Sequence, residues 1–249
     1  MSGHSKWATI KHKKGAADAK RGKLFAKLAR QIEVSARAGG GDPDMNPTLR
    51  TAVQKAKAAS MTNDAIDRAI KRGTGESGGD AYEDITYEGY APGGVALLID
   101  VLTDNRNRTS ADIRNILSKM GGSMAEPGAV GWQFTRRGIV LVEGPVDEDE
   151  LMMAALEAGA EDVAGEGVTW TVTCDPSDTF ELKESLEGAG YTVMSADMPM
   201  VSDNLVPVDT VEDAKKLLRI LDAIEDNDDV QDVYSNFDIS DDVMEAAAS

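Results

Sequence analysis

One cysteine, Cys174, in 249 residues excludes an intrachain disulfide and any zinc site built from several cysteines. A small buried strand residue is the expectation for it. Histidine is nearly as scarce. His4 and His12 are the only two, so a histidine-dependent triad or zinc centre would have to be assembled from one short basic stretch. Long apolar runs are missing as well: Gly94 to Leu102 ends after fewer than about ten residues, where a bilayer crossing needs roughly 20. The opening residues, Met1-Ser-Gly-His-Ser-Lys-Trp-Ala-Thr-Ile, turn basic without an apolar h-region. These absences lead to the expectation of a cytoplasmic protein without membrane spans.

Phosphate-loop and metal patterns are also lacking. Gly73-Thr-Gly-Glu-Ser-Gly is followed by no Gly-Lys-Ser/Thr, and Gly89-Tyr-Ala-Pro-Gly-Gly does not have the G-x-G-x-x-G spacing. The first reads as a linker and the second as a hairpin turn. Acidic pairs such as Asp147/Glu148 and Asp228/Asp229 lack EF-hand spacing and read as solvated surface. The sequence therefore offers no catalytic residue, no metal site, no cofactor and no small-molecule substrate, and the expectation is a non-enzyme.

What is present is charge, unevenly placed. The net charge of −18 argues at first against a polyanionic partner. Residues 1–72, however, hold ten lysines and six arginines against six acids, a balance of +10, and the ten basic and 38 acidic residues of 73–249 leave −28. Such asymmetry within one chain suggests a basic contact module on an acidic body.

Periodicity divides the chain in the same place. From Gly15 to Gly39, Leu24, Phe25, Leu28, Ile32 and Ala36 fall on one helical arc. Lys20, Lys23, Lys27, Arg30 and Arg37 form a stripe along its edge. Asn46-Pro47 opens a second helix with Leu49, Val53 and Ala56 inward, and Thr62 caps a third that stops at Gly73. Strands at 82–90 and 94–102, a helix over 109–120 and β character at 132–134 follow. Residues 138–201 then run strand, helix, two strands, helix, strand, the split βαβ order. A helix at 211–224 and a strand at 230–237 remain to complete the earlier sheet, and the tail from Asp238 is expected to fray. The expected fold is α+β and multi-domain: a three-helix bundle (1–78), a discontinuous α/β domain (79–137 with 203–240), and an inserted ferredoxin-like domain (138–202).

Two groups of residues are candidates for contacting nucleic acid. In the first, Lys6, Lys11, Lys13, Lys14, Lys20, Arg21, Lys23, Lys27, Arg30 and Arg37 meet only Asp18 and Glu33 within residues 1–37, with Trp7 and His12 among them. Cations at this density displace counterions from phosphates, and an aromatic ring can stack on a base. A solubilising helix face would not require Lys11, Lys13 and Lys14 outside it. The second group is Arg106 and Arg108 in Thr103-Asp-Asn-Arg-Asn-Arg-Thr109, where guanidinium groups and a helix N-terminus would suit phosphate. Pairing of these arginines with nearby acids is the equal alternative.

Five motifs in order resemble the YebC/PmpR family: Gly3-His-Ser-Lys-Trp-Ala-Thr-Ile-Lys-His-Lys-Lys, Asp18-Ala-Lys-Arg-Gly-Lys-Leu-Phe, Gly39-Gly-Gly-Asp-Pro-Asp-Met-Asn-Pro, Tyr87-Glu-Gly-Tyr-Ala-Pro-Gly-Gly-Val and Leu102-Thr-Asp-Asn-Arg-Asn-Arg-Thr. The likeness is dense over residues 1–137 and thinner beyond. It implies three domains and no active site. It also implies one of two partners: DNA, as for a transcriptional regulator, or ribosomal or messenger RNA, since the mitochondrial relative is a translational activator of a cytochrome oxidase subunit.

Overall fold

The computed structural model describes residues 18–75, 82–166 and 168–248. It is an α+β protein in which a helical N-terminal region precedes two sheet-containing regions.

Helices α1 (Asp18–Gly39), α2 (Pro47–Ala58) and α3 (Asn63–Gly73) enclose their own core of Leu28, Ile32, Leu49, Val53, Ala56, Ile66 and Ala69. Leu24, placed on the inward arc by periodicity, is instead 45% exposed, and Phe25 packs against the core. The α1–α2 turn is built around buried Asn46. Its Nδ2 donates to the Ser35 and Gly40 carbonyls at 2.8 and 2.9 Å, and its Oδ1 caps α2 by accepting from the Leu49 N–H. Gly40 has φ +89°, a conformation that favours glycine, so α1 must stop there.

Strands β1 (Glu83–Tyr90) and β2 (Ala96–Thr103) pair antiparallel along their whole length about the Ala91–Gly94 turn. β3 (Ser123–Met124) adds to β1, and β11 (Val230–Ser235) returns from far along the chain to pair with β2. The order is β11-β2-β1-β3. Helices α4 (Arg106–Lys119) and α7 (Val211–Glu225) cover one face, burying Leu97, Ile99 and Val101 beneath Ile113, Leu117, Leu217 and Ile224. The alternate residues Ala96 and Leu98 face the other way and meet Val130 and Phe134. Glu88 holds the loop that carries Val130: its carboxylate accepts the N–H groups of Gly128, Val130 and Gly131 at 2.6 to 2.8 Å. Burial raises the pKa of this carboxyl, but the backbone donors outweigh burial and leave it below its ordinary value.

The remaining region comprises β5 (Gly138–Glu143), α5 (Glu148–Glu157), β6 (Asp162–Glu166), β7 (Thr169–Cys174), α6 (Thr179–Gly188) and β8 (Val193–Asp197), with antiparallel strand order β6-β7-β5-β8. Cys174 is fully buried in its core beside Thr179. A short ribbon of β4 (Phe134–Arg136) and β9 (Met200–Ser202) stands beside the two sheets. β10 (Val206–Pro207) pairs with β12 (Phe237–Asp238).

Three sequence expectations change. α4 begins at Arg106, not at Thr109, because the Asn105 side chain accepts the Arg108 N–H and caps the helix earlier. Residues 131–133 form a 3₁₀ turn, and strand structure resumes only at Phe134. The tail does not fray, since α8 (Asp241–Ala248) docks on the first α/β core. Val243, Met244 and Ala247 lie on one helical face, and Met244 is 2% exposed.

Met244→Ala should therefore lower stability by roughly 2 to 5 kcal/mol in urea denaturation. A loss below about 0.5 kcal/mol would show the helix to be incidental.

Candidate nucleic-acid interface

Of the basic candidates, Lys6, Trp7, Lys11, His12, Lys13 and Lys14 lie outside the described residues, and Lys20 and Arg21 fall in the first turn of α1. Lys23, Lys27 and Arg30 are described, and they do not form the free stripe expected of them. They meet the C-terminal end of α7 and the loop that follows it. Lys23 Nζ donates to the Asp226 carbonyl at 3.1 Å and to its carboxylate at 3.2 Å. Lys27 Nζ donates to the Glu225 carbonyl at 2.8 Å. Arg30 reaches the Asp228 carbonyl at 2.7 Å, the Leu102 carbonyl at 3.0 Å and Asp229 Oδ1 at 3.1 Å, and its guanidinium lies 5.0 Å from the centre of the Tyr82 ring.

The helix geometry explains this attraction. The last carbonyls of a helix have no intrahelical donor and carry the negative end of its dipole, so cations are favoured there. α7 ends at Glu225, and Asp226, Asp228 and Asp229 follow directly, which adds carboxylates to that end. Residues 23, 27 and 30 are spaced to lie along one line of α1. Arg37, the last member of the stripe, turns inward to Glu33 at 3.6 Å; Glu33 is buried and also receives Arg72 of α3 at 3.1 Å.

Asp229 is the centre of the joint. It was expected to be a solvated acid, yet its side chain is only 7% exposed. Arg30 occupies Oδ1, while Arg108 at 2.8 Å and Thr109 at 2.6 Å donate to Oδ2. Thr103 lies within 3.3 Å of the same oxygen and 2.7 Å from Thr109. The Asp229 carbonyl also accepts the Leu102 N–H. The motif from Thr103 to Thr109 is thus wrapped around a carboxylate 120 residues further on. Sequence inspection did not find this partner, because nothing local to Asp229 distinguishes it from its neighbour Asp228.

Arg106 and Arg108, grouped as one candidate, have different roles. Arg108 bonds Asp104 and Asp229, both at 2.8 Å, in keeping with the acid-pairing alternative. Arg106 is exposed and makes no side-chain hydrogen bond or ion pair to any described residue. Lys57 and Lys71 of the helical region share that condition, as do Arg114 and Lys119 of α4. Among the described residues no group of three metal-ligating side chains is placed to hold a cation, and no helix is long and apolar enough to cross a membrane.

Burial pushes the Asp229 carboxyl up, but the hydrogen bonds from Arg108 and Thr109 and the charges of Arg108 and Arg30 outweigh it and hold the group below its ordinary range. A depressed folded-state pKa contributes stability above the unfolded value of about 3.9, and that contribution is lost as pH falls through the folded value. Asp229→Asn should cost roughly 2 to 4 kcal/mol at neutral pH, with the deficit shrinking below about pH 4. Denaturant titrations at several pH values check this, and a deficit independent of pH would mean that the charge of Asp229 is immaterial.

Two family models match the chain. One, described as the TACO1/YebC protein N-terminal domain, covers residues 5–76, and the other, described as the TACO1/YebC second and third domain, covers residues 82–237. A "probable transcriptional regulatory protein" of Halothermothrix orenii is 59% identical over 98% of each chain. A protein of the same description from Rubrobacter xylanophilus is 59% identical over the whole of both chains. The crystal structure of a conserved hypothetical protein from Aquifex aeolicus superposes with a TM-score of 0.78 at 43% identity, covering 90% of this chain and 93% of that one. The two sequence relatives carry the name of a probable regulatory protein and not of an enzyme. Matched by both family models along most of its length, the chain belongs to the TACO1/YebC family.

Proposed function

We propose that this chain is a cytoplasmic regulatory protein that binds nucleic acid through its basic N-terminal domain and has no catalytic chemistry of its own. In this reading residues 1–78 make the contact. Residues 79–137 with 203–240, and the inserted unit 138–202, orient it or meet partners. The observation that carries the proposal is the charge division, +10 over residues 1–72 against −28 over the remainder. A soluble fold does not require so sharp a separation, whereas a phosphate backbone selects for it. The regulatory name borne by the relatives makes DNA the first partner to consider.

A second reading, association with ribosomal or messenger RNA, is favoured by one specific feature. The basic edge of α1 is turned onto α7, so Lys23, Lys27 and Arg30 do not form an exposed face for a major groove. Backbone contacts through Lys6, Lys11, Lys13 and Lys14, with Trp7 stacking, suit a single strand or a folded RNA equally well.

Replacing Lys11, Lys13 and Lys14 with Ala should lower the slope of log affinity against log salt by about 2 to 3 and leave the thermal midpoint unchanged. Fluorescence anisotropy on duplex DNA and on single-stranded RNA measures it, and an unchanged slope on both would remove the N-terminal arm from the interface. Discrimination of roughly 10³ or more between duplex sequences would establish the DNA reading, and tighter binding to RNA with indifference among duplexes would establish the other.

A further inference from the structure

Lys23, Lys27 and Arg30 of the stripe already hold anionic and carbonyl oxygens, and they hold them within the same chain. We propose that this joint is an autoinhibitory clasp: α1 closes on the acidic end of α7, and a polyanion opens it by taking Lys23, Lys27 and Arg30 for its phosphates. The inference rests on the nucleic-acid reading above and adds a regulation to it.

Three observations support the clasp. The helical region and the first α/β region keep separate hydrophobic cores, and among the described residues no buried apolar cluster spans the two, so the described contacts of the joint are polar. Contacts of that kind weaken as salt screens them, whereas an apolar interface would strengthen. The oxygens that receive Lys23 and Lys27 include main-chain carbonyls and the Asp226 carboxylate at a helix end, with Lys23 and Asp226 side chains 44% and 67% exposed, so water and competing ions reach them. Asp229, the buried carboxylate at this joint, does not depend on Arg30 alone. Arg108, Thr109 and Thr103 remain on it when Arg30 leaves, so opening strands no unpaired buried charge. Asp229 thus keeps its Oδ2 donors in either state, while its Oδ1 and the carbonyls that the three cations leave pass to water.

Phosphate is the chemistry that fits the released groups, because two ammonium groups and a guanidinium along one helical line match successive backbone oxyanions. The test is small-angle scattering of the full chain from about 50 to about 500 mM salt, together with binding of a poly(U) oligonucleotide and of a duplex DNA, both followed by anisotropy. Asp226→Lys with Asp228→Lys reverses two exposed charges in the loop that receives the stripe and leaves every cation in place. Glu181→Lys with Glu184→Lys adds the same charge on exposed positions of α6 and serves as the control. The clasp predicts a radius of gyration that grows with salt in the wild type and is already enlarged at low salt in the loop variant. It also predicts at least roughly fivefold tighter polyanion binding by the loop variant than by the control. Equal binding by loop variant and control, or no expansion in either, overturns the clasp while leaving the nucleic-acid reading intact. Failure of every form to bind either polyanion overturns both.

Discussion

A carboxylate taken out of water must be met by donors, and Asp229 meets this demand with groups drawn from three places in the chain. Arg30 comes from the helical region, Arg108 and Thr109 from the first turn of α4, and Thr103 from the end of β2. The backbone of Asp229 is committed as well, through the Leu102 N–H to its carbonyl and through its own N–H to Asn227. The turn between α7 and β11, the start of α4 and the seating of α1 are consequently set by one anion. Had a neutral residue stood at this position, two guanidinium groups would face each other with nothing between them.

Around this centre the charge separation along the chain takes on a spatial meaning. A segment of +10 joined to a remainder of −28 attracts that remainder whether or not nucleic acid is present. The contact occurs where a helix dipole adds to the acids, at the end of α7. Under the proposed clasp, intramolecular acids and external phosphates compete for the same ammonium and guanidinium groups, and the strength of the internal contact then sets the affinity for a polyanion together with the number of cations.

The parts of the fold that could be read from sequence are those governed by short periods. The short apolar run marked 94–102 as a buried strand, and the 3.6-residue repeat placed Leu28, Ile32 and Ala36 in the helical core. Asn46-Pro47 and Thr62 marked helix starts because a side-chain oxygen next to unpaired N–H groups is a local matter. The same reasoning missed Leu24, which satisfies the helical repeat but extends beyond the part of α1 that α2 and α3 cover. It also missed α8, a segment rich in acid and alanine whose Val243, Met244 and Ala247 acquire a use only where α7 and the sheet leave an apolar surface for them.

By itself the sequence determined the element types, the concentration of cations near the N-terminus, the scarcity of cysteine and histidine, and the motifs that mark the family. Each depends on neighbours within a few turns of chain or on composition. Tertiary structure alone decided which cations are occupied. Lys23, Lys27 and Arg30 pair with residues about 200 positions away, and Arg108 with one 121 away, whereas Arg106, two residues before it, is left to solvent. A charge carries no record in sequence of its distant partner, since Coulomb attraction acts on whatever the packing of the apolar faces brings within a few ångströms.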